Sequence, residues 1–508
     1  MDTKIVTGDD MDLESFVQIA RFGAEFKFSD SYKKKVMASE RLLATAISEK
    51  TMIYGISTGF GVLSDRLISL DEVAQLQENI VLSHAVSVGQ PLSIEQTRAM
   101  MLMVLLNLGQ GNSGVRMVLL DTIREMLARG VTPLAPKEGS VGYLAPEAHF
   151  SLVLIGKGRA YYDGELLPGG KAMEKAGIPV LTLAAGEGLS LTSGTTSVTA
   201  LGAMALYDMI NAAKSADIIG SMSVEALRGV MRHFDKRLMD ARPHSAQGIV
   251  ADNVRRILDG SGVLKHFEGQ RLQDALSLRC IPQLHGAAKQ MLYNAKDILE
   301  TEMNSCCDNP QIFDVDGKPD VISGCNADAA YVGVAMDSAA IAATMLAKIS
   351  ERRNNRYLDE NLSGYPSMLV KKPGLNSGLM IPQYTQAGLL GDMRILSTPS
   401  VIDNTPTCCN QEDYVSMGYN SSKKAGSVAE KLEYVLAIEL LSCYQAQQFI
   451  PPELNRSPAT KAVLDAIEKE VPVMEQDILL HPHIEFLKTF IHKGDMLNIV
   501  QSVVGQLQ

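Results

Sequence analysis

The chain has 508 residues, of which 46% are hydrophobic, so it can bury one very large core or several ordinary ones. Asp and Glu number 58 against 47 Lys and Arg, and the net charge of −11 argues against a nucleic-acid partner or an anionic membrane surface. The seven cysteines include two adjacent pairs, which suit neither a disulfide framework nor a structural zinc site, so we expect no metal. Only 5% of the residues are aromatic and 25 are Met, which favours packed helices over a β-sandwich.

The N-terminal stretch carries no apolar segment of the kind that signal peptides contain, and it turns acidic at Asp9-Asp10. The longest apolar stretches, such as 100–106, are far shorter than a bilayer span. Together with the cysteine pattern, which is typical of a reducing compartment, these features predict a cytoplasmic protein that does not associate with membranes.

Five long segments repeat apolar residues at helical spacing and are rich in Ala, Leu and Met. They cover 70–85, 94–108, 115–127, 198–224 and 329–349. Ser93, with Gln96 three positions later, is typical of a helix start. Two turn sequences, at 161–165 and 313–317, predict β-hairpins. We therefore expect an all-α fold with minor β-hairpins.

The two parts of the chain differ in how often loops interrupt the predicted helices. Short loops rich in Gly and Pro punctuate the first part of the chain, whereas the sequence is more continuously helical from Val198 onward. We predict a loop-rich N-terminal domain over 1–200, which contains the loop of Tyr54 and the loop at 139–146. A central and C-terminal helical bundle is predicted over 201–508.

Two short motifs suggest chemistry that their surroundings do not support. Residues 109–114 match the G-x-G-x-x-G pattern of dinucleotide sites, but they follow a run with helical spacing and no βαβ unit surrounds them. His481-Pro482-His483 suggests metal ligands, but Pro482 would break the helix needed to align them. A surface turn is expected at this second motif.

Several loop segments together resemble one enzyme family, although none of them is specific alone. They follow one another from about residue 50 to 420, and among them are Tyr54-Gly55-Ile56-Ser57-Thr58-Gly59-Phe60-Gly61, Leu82-Ser83-His84-Ala85, Gly139-Ser140-Val141-Gly142, Ser277-Leu278-Arg279, Asp308-Asn309-Pro310 and Asn410-Gln411-Glu412-Asp413. The chain resembles the histidine/phenylalanine ammonia-lyase family, and its length suits the bacterial histidine ammonia-lyases.

The resemblance implies a fold, an assembly and a reaction. The fold would be the long-helix bundle of histidine ammonia-lyase, assembled as a homotetramer whose active sites take loops from three subunits. The reaction would be a 1,2-elimination of an amine from an amino acid, which leaves an α,β-unsaturated acid such as urocanate.

The resemblance also implies catalytic residues. Tyr54 would remove the β-proton, Arg279 would hold the substrate carboxylate, and Glu412 would contact the amine or, for an imidazole substrate, the ring. The guanidinium of Arg279 suits a planar carboxylate through its bidentate fork. Structural alternatives stay open, since Tyr54 could merely anchor a tight turn and Arg279 could pair with Glu412 as a structural bridge.

Further residues are implied to bind the substrate. His84 would lie where side-chain selectivity is decided, although a hydrogen-bonded histidine of the core is the structural alternative. Gln273 and Asn309 would line the carboxylate side.

The loop after Gly142 departs from the family pattern. Relatives carry Ala-Ser-Gly there, and this tripeptide cyclises into the electrophilic methylidene-imidazolone group, whereas here Tyr143 follows directly. Either the tripeptide is missing only from the printed sequence, or the protein lacks the electrophile. Residues that neighbour the group in the family have changed too: Ser193 stands for Asn, Leu276 for Tyr, and Ala327-Asp328 for Phe-His. Because a clerical omission would leave these neighbours intact, we expect a genuine loss and no cofactor.

Loss of the electrophile would constrain the substrate. An unmodified amine leaves poorly, whereas a trimethylammonium group departs as a neutral amine and needs only a positioned base and a bound carboxylate. Such an enzyme resembles ergothionase, which releases trimethylamine from the histidine betaine ergothioneine. Ser193 and Asp328 would then line the substrate, Asp328 would add negative charge for its cationic group, and Tyr384 would add a cation–π contact. A solvated or Arg-paired Asp328 is the structural alternative.

Three hypotheses remain at this point. The first is a carbon–nitrogen lyase that acts on a histidine-derived betaine without the electrophile. The second is an ordinary histidine or aromatic amino acid ammonia-lyase that depends on methylidene-imidazolone formed from an unprinted Ala-Ser-Gly after Gly142. The third is a non-catalytic relative that binds a small molecule, against which the retained Tyr54, Arg279 and Glu412 argue.

Overall fold

The structure is a computed structural model that describes Lys4–Val6 and residues 10–508. Residues 1–3 and 7–9 lie outside the described residues, and so does most of the N-terminal stretch that underlies the expectation about signal peptides.

The described chain is built mainly from α-helices, as predicted. In chain order they are Leu13–Ala20, Asp30–Ser48, Val73–His84, Ile94–Leu108, Met117–Arg129, Pro146–Leu154, Gly169–Lys175, Glu187–Thr192, Thr196–Ala226, Lys236–Asp240, Ser245–Ile257, Gly262–His266, Leu276–Arg279, Ile281–Met303, Ala330–Leu358, Glu360–Ser363, Met380–Leu396, Gly418–Gln447, Pro458–Ile467, His481–His492 and Asp495–Val504. All five segments with helical periodicity form helices, which confirms the all-α prediction.

The helix Ile94–Leu108 shows how local sequence and burial agree. The Ser93 hydroxyl accepts a hydrogen bond from the Gln96 amide at 3.2 Å, and the Gln96 side chain accepts one from the Ser93 amide at 3.0 Å, which forms the capping box that the sequence predicts. Eleven of its 15 residues are buried. A helix that is apolar on all sides belongs in the core, which is where this one lies.

Short strands form four small sheets among the described residues. The two predicted hairpins are confirmed: Arg159–Tyr162 pairs with Glu165–Pro168, and Gln311–Val315 with Lys318–Ile322. The sequence did not predict the other strands, which are Lys4–Val6 parallel to Phe26–Phe28, Val88–Pro91 antiparallel to Pro136–Glu138, and Thr132–Pro133 beside the first hairpin. Strands of two to four residues are too short to show a period.

The chain divides into two compact units. The first unit comprises Met1–Tyr207, Ala295–Asp337 and Pro399–Lys423, and the second unit comprises Asp208–Asn294, Ser338–Thr398 and Lys424–Gln508. These units are discontinuous in sequence, whereas the predicted domains, 1–200 and 201–508, are continuous. The domain division therefore stays a prediction.

Two local expectations are wrong. His481-Pro482-His483 does not form a surface turn but begins the helix His481–His492. Proline is tolerated there because backbone amides in the first turn of a helix have no intrahelical hydrogen-bond partner. The sequence predicts no apolar stretch as long as a bilayer span, but the helix Ala330–Leu358 is long and apolar enough, by length and composition, to cross a membrane. In this structure 67% of its most apolar window is buried inside the protein, as in a core helix.

Candidate active site

The loop that carries Tyr54 is a tight turn held by its own polar groups. The Tyr54 hydroxyl accepts a hydrogen bond from the Gly61 amide at 2.7 Å, so the side chain does anchor the turn. Gly61 has φ +56, and a Cβ there would lie 2.7 Å from the Cys408 sulfur, so only glycine fits. Buried Gln77 donates to the Gly55 carbonyl at 3.1 Å and ties the loop to the helix Val73–His84.

His84 ends that helix and faces the same loop. Its Nδ1 lies 2.7 Å from the Ile80 carbonyl, and its ring lies 5.2 Å from the ring of Phe60. Burial lowers the pKa of His84, while the Ile80 carbonyl and the Glu412 charge partly oppose this shift. His84 is therefore neutral at pH 7, and it is half-buried, so it is not a fully enclosed core histidine.

Glu412 belongs to a strained loop. Its side chain accepts a hydrogen bond from the Thr407 hydroxyl at 2.5 Å, and its carbonyl accepts one from the Thr407 amide at 2.8 Å. Three consecutive residues in between, Cys408, Cys409 and Asn410, have φ values of +51, +54 and +66. Left-handed backbone at non-glycine residues costs about 1–3 kcal/mol per residue and occurs most often at functional sites.

The predicted residues Tyr54, His84 and Glu412 share one electrostatic environment. Burial raises the pKa of Tyr54, the hydrogen bond from the Gly61 amide opposes this rise, and Glu412 and Cys408 each raise the pKa by a smaller amount than the Gly61 amide lowers it. Glu412 also opposes the lowering of the His84 pKa. The structure thus places these three residues of the first unit in one cluster.

The loop at 139–146 adds Tyr143, which the sequence did not single out. Burial raises the pKa of its phenol most, and the nearby Glu412, Cys325 and Asp328 raise it further. The signal that could have identified Tyr143 is its position directly after Gly142, where the chain departs from the family pattern.

Asp328 lies in the same cluster, as part of a group of acidic and weakly acidic side chains. Burial, Asp328 and Glu412 raise the pKa of Cys325, and burial and Asp328 are among the causes that raise the pKa of Tyr414. Burial raises the pKa of Glu302, the hydrogen bond from the Thr195 hydroxyl opposes this rise, and Asp328 adds a smaller increase. The cluster is therefore an acid-rich site that suits a cationic group of a ligand.

Ser193 and Asn309 also lie in the first unit. Ser193 is buried and follows the helix Glu187–Thr192, and a Cβ on the next residue, Gly194, would lie 3.0 Å from the Cys307 carbonyl. The Asn309 side-chain oxygen accepts hydrogen bonds from the Gly324 amide at 2.9 Å and the Ser323 hydroxyl at 3.1 Å, so it closes the base of a hairpin.

Arg279, Gln273 and Tyr384 lie in the second unit. The Arg279 Nε donates to the Asp274 carbonyl at 3.0 Å. Gln273 is exposed, and Tyr384 is 65% exposed on the helix Met380–Leu396. The structure therefore does not place these three predicted residues in the cluster of the first unit.

Comparisons with known proteins agree on one family. Residues 11–469 match the family model for aromatic amino acid lyase. The histidine ammonia-lyase of Symbiobacterium thermophilum is 40% identical over 504 residues, which is 99% of each chain. That of Natranaerobius thermophilus is 38% identical over 507 residues, again 99% of each chain.

Solved structures have the same fold. Tyrosine aminomutase from Streptomyces globisporus has a TM-score of 0.95 at 31% identity, with 100% of each chain covered. Histidine ammonia-lyase from Trypanosoma cruzi has a TM-score of 0.92 at 32% identity and covers 99% of this chain and 96% of its own. The ergothioneine-degrading ergothionase from Treponema denticola has a TM-score of 0.91 at 26% identity, with 98% and 100% covered. The relatives favour ammonia release over the expected release of trimethylamine, because histidine ammonia-lyases match more closely than ergothionase.

The expectation that no cofactor is used is contradicted. The chain matches histidine ammonia-lyases over nearly its whole length, and those enzymes use the methylidene-imidazolone group. The residues at the loop nevertheless do not fit the group. Tyr143 follows Gly142 directly, and a Cβ on Gly142 would lie 2.3 Å from the Ser416 hydroxyl oxygen. The steps proposed for this chain therefore involve its own side chains only.

Proposed function

The chain belongs to the aromatic amino acid lyase family and is a carbon–nitrogen lyase of the ammonia-lyase type, and from this premise we propose that it eliminates the amine of a histidine-type amino acid. The full-length match to histidine ammonia-lyases carries this proposal. The cluster of Tyr54, His84 and Glu412 supports it, because it combines a base, a ring contact and a negative charge in one site.

In the proposed reaction, the phenolate of Tyr54 takes the β-proton of the substrate. The electrons of that C–H bond form the Cα–Cβ double bond, and the C–N bond breaks as the amine departs. The burial and the Glu412 charge that raise the pKa of Tyr54 make its phenolate a stronger base, although a scarcer one at pH 7. A cationic substrate beside Glu412 would offset part of that charge.

The remaining roles concern binding. Arg279 would hold the carboxylate, with Gln273 and Asn309 on the same side, and neutral His84 would contact the side-chain ring. Glu412 would accept a hydrogen bond from the amine or from the imidazole ring, and Asp328 would add negative charge beside it. Ser193 and Tyr384 remain weaker candidates, since neither has a contact that indicates a ligand.

We also propose a homotetramer with shared active sites, in a cytoplasmic setting. The helix Met380–Leu396 exposes Ile381, Tyr384 and Ile395 by 55%, 65% and 74%, which is typical of a surface that another subunit covers. All seven cysteines are free, as in a reducing compartment. Light scattering after size-exclusion chromatography tests the assembly, and a monomer would contradict it.

The activity test compares three amino acids. The purified enzyme is incubated with L-histidine, L-tyrosine and ergothioneine, while ammonia, trimethylamine and the absorbance of the unsaturated acid are followed. We expect L-histidine to give ammonia and urocanate at the highest kcat/KM. Absence of amine from all three compounds would contradict the proposal. The intact mass of the same sample, compared with the mass of the printed sequence, shows whether the chain carries additional residues or a covalent group.

Release of trimethylamine is the second candidate function. It is favoured by the acid-rich cluster, in which Asp328 and Glu412 stand beside the phenols of Tyr143 and Tyr414. Carboxylates and aromatic rings are the groups that bind quaternary ammonium ions. Trimethylamine from ergothioneine, without ammonia from L-histidine, would establish this alternative.

A further inference from the structure

Gln77 is a fully buried side chain that joins three segments of the first unit. It lies on the helix Val73–His84. Its Nε2 donates to the Gly55 carbonyl at 3.1 Å, and its Oε1 accepts from the amides of Gly188 and Leu189 at 3.0 and 3.3 Å. A carbonyl only accepts and a backbone amide only donates, so these partners fix the orientation of the side-chain amide.

The segments that Gln77 joins pack closely against one another. A Cβ on Gly188 would lie 2.3 Å from the backbone oxygen of Gln77, and a backbone atom cannot move aside as a side chain can, so only glycine fits there. Gly55 has φ +65, and a Cβ on it would lie 2.3 Å from Cδ2 of Leu189. The hydrogen bonds of Gln77 therefore connect backbones that are already in contact.

Each of the three segments carries a candidate residue of the site. Tyr54 directly precedes Gly55. His84 ends the helix of Gln77, about two turns further along the same face. Ser193 directly follows the helix Glu187–Thr192, whose first-turn amides bind the Gln77 oxygen. One side chain thus links the backbone segments of the proposed base, the ring contact and a buried hydroxyl.

Two further hydrogen bonds of the Tyr54 loop join its residues to one another. The Gly55 amide donates to the Gly59 carbonyl at 3.2 Å, and the Gly61 amide donates to the Tyr54 hydroxyl at 2.7 Å. Bonds of this kind maintain the shape of the loop but do not place it against the neighbouring helices. The bond from Gln77 to Gly55 does, because its donor belongs to one of those helices.

We propose that Gln77 is a positioning residue, which holds the Tyr54 loop against the helices next to it and so places the Tyr54 phenol for proton removal. Gln77 is fully buried, so it acts through Tyr54 and not by contact with the substrate. The inference rests on the proposed function, because it takes Tyr54 as the base. A shift of about 1 Å in a reacting group can cost about 10²-fold in rate.

The variant Gln77→Glu separates the two ends of the side-chain amide. Its carboxylate still accepts from the two helix amides but has no hydrogen to donate to the Gly55 carbonyl. We expect kcat for L-histidine to fall about 10- to 100-fold and KM to stay within about threefold, because only the base is displaced. Hydrogen exchange followed by mass spectrometry should become about tenfold faster in residues 54–61 and stay unchanged in residues 187–193.

The matched control is Gln445→Glu. Gln445 is a buried glutamine of the second unit whose Nε2 donates to the Met474 and Leu369 carbonyls at 2.9 and 3.2 Å, while its Oε1 accepts from the Met474 amide at 3.1 Å. The change keeps an acceptor and loses donors at a buried site, as Gln77→Glu does. It should leave kcat and the exchange of residues 54–61 within about twofold of wild type.

A second variant, Gln77→Met, keeps the length of the side chain but loses all three hydrogen bonds. It should lower kcat at least as much as Gln77→Glu, and it should speed exchange in residues 187–193 as well as in residues 54–61. It also carries the test if Gln77→Glu does not fold.

The outcomes separate the two proposals. A wild-type kcat in Gln77→Glu, an equal fall of kcat in Gln445→Glu, or unchanged exchange in residues 54–61 would overturn the positioning role. If the wild-type enzyme releases no amine from any amino acid, the proposed function fails, and the exchange data still decide whether Gln77 holds the Tyr54 loop in place.

Discussion

Two clusters of charged side chains in this protein are built in opposite ways. In the first unit, the carboxylates of Glu412 and Asp328 stand beside phenols and thiols, and they raise the pKa values of Tyr143 and Cys325. In the second unit, buried carboxylates stand beside cations. Asp217 and Glu439 of the second unit are fully buried, whereas Glu412 and Asp328 of the first unit are only half-buried.

The buried cluster of the second unit is fully paired. Arg353 and Glu439 are both 0% exposed and form a two-pronged ion pair at 2.5 and 2.8 Å. Asp217 is bound by Lys289 at 2.5 Å and by His285 at 2.8 Å. Burial works against its ionisation, yet these two neighbours hold the pKa of Asp217 below its usual value.

The difference indicates what each cluster is for. Paired charges in a dry interior fix helices to one another, and they have little capacity left for a ligand. Acidic groups that are half-exposed and face weak acids retain that capacity, because a cationic ligand would lower the energy of all of them. The first cluster is therefore the candidate for chemistry and the second for stability.

The largest expected effect tests the first cluster. Tyr54→Phe removes the proposed base, so kcat should fall about 10²- to 10⁴-fold while KM changes little. The change also removes the acceptor for the Gly61 amide, so thermal unfolding is measured beside a control, Tyr434→Phe, which removes the 2.9 Å hydrogen bond from Tyr434 to the Glu485 carboxylate in the second unit. A kcat within tenfold of wild type would mean that another group takes the proton.

The next effect tests the second cluster. Glu439→Gln leaves the Arg353 guanidinium buried without its counter-charge, and it should lower the free energy of unfolding by about 3–5 kcal/mol. Asp240→Asn is the matched control, because Asp240 is 59% exposed in its pair with Lys236 and should contribute less than about 1 kcal/mol. Urea unfolding measures the free energy of unfolding of both variants. Equal decreases would show that the buried ion pair does not have the stabilising role assigned to the second cluster.

Arg279 tests the proposed binding of the substrate carboxylate. Arg279→Lys keeps the charge but loses the planar fork, so KM for L-histidine should rise about 10- to 100-fold, with kcat retained within a few-fold. The Kd of histamine, measured by calorimetry, should not change, because histamine carries an imidazole and an ammonium group but no carboxylate. A weakened histamine affinity would instead indicate that Arg279 supports the structure of the site.

The smallest effect is a shift in the pH profile. Tyr54 must lose its proton before it acts as a base, and its pKa is raised above the ordinary value of 10.0, so kcat/KM should rise with pH into the alkaline range. Glu412→Gln removes a charge that raises this pKa, so the rising limb should move to lower pH, by at most about one unit. A limb that stays in place or moves to higher pH would show that Glu412 does not act on Tyr54.

Much of the fold could be predicted from the sequence, because the information is local. Apolar spacing predicted the helices, the Ser93 and Gln96 side chains predicted a cap, and turn sequences predicted two hairpins. The resemblance supplied Tyr54, His84 and Glu412, which the structure brings into one cluster. The helix, cap and hairpin signals are each local, whereas the resemblance depends on several short segments in the same order along the chain.

Other features were decided only by the tertiary structure. Glu412 raises the pKa of Tyr143 although the two residues come from distant loops, and no periodic pattern links them. The strained backbone at Ala145 and Cys409 is likewise invisible in the sequence, since neither residue prefers a positive φ. The sequence by itself determined which segments become helices and which residues resemble a family site. Only tertiary packing decided which side chains lie in one electrostatic environment. The distance between two segments far apart in sequence depends on how all the intervening elements pack.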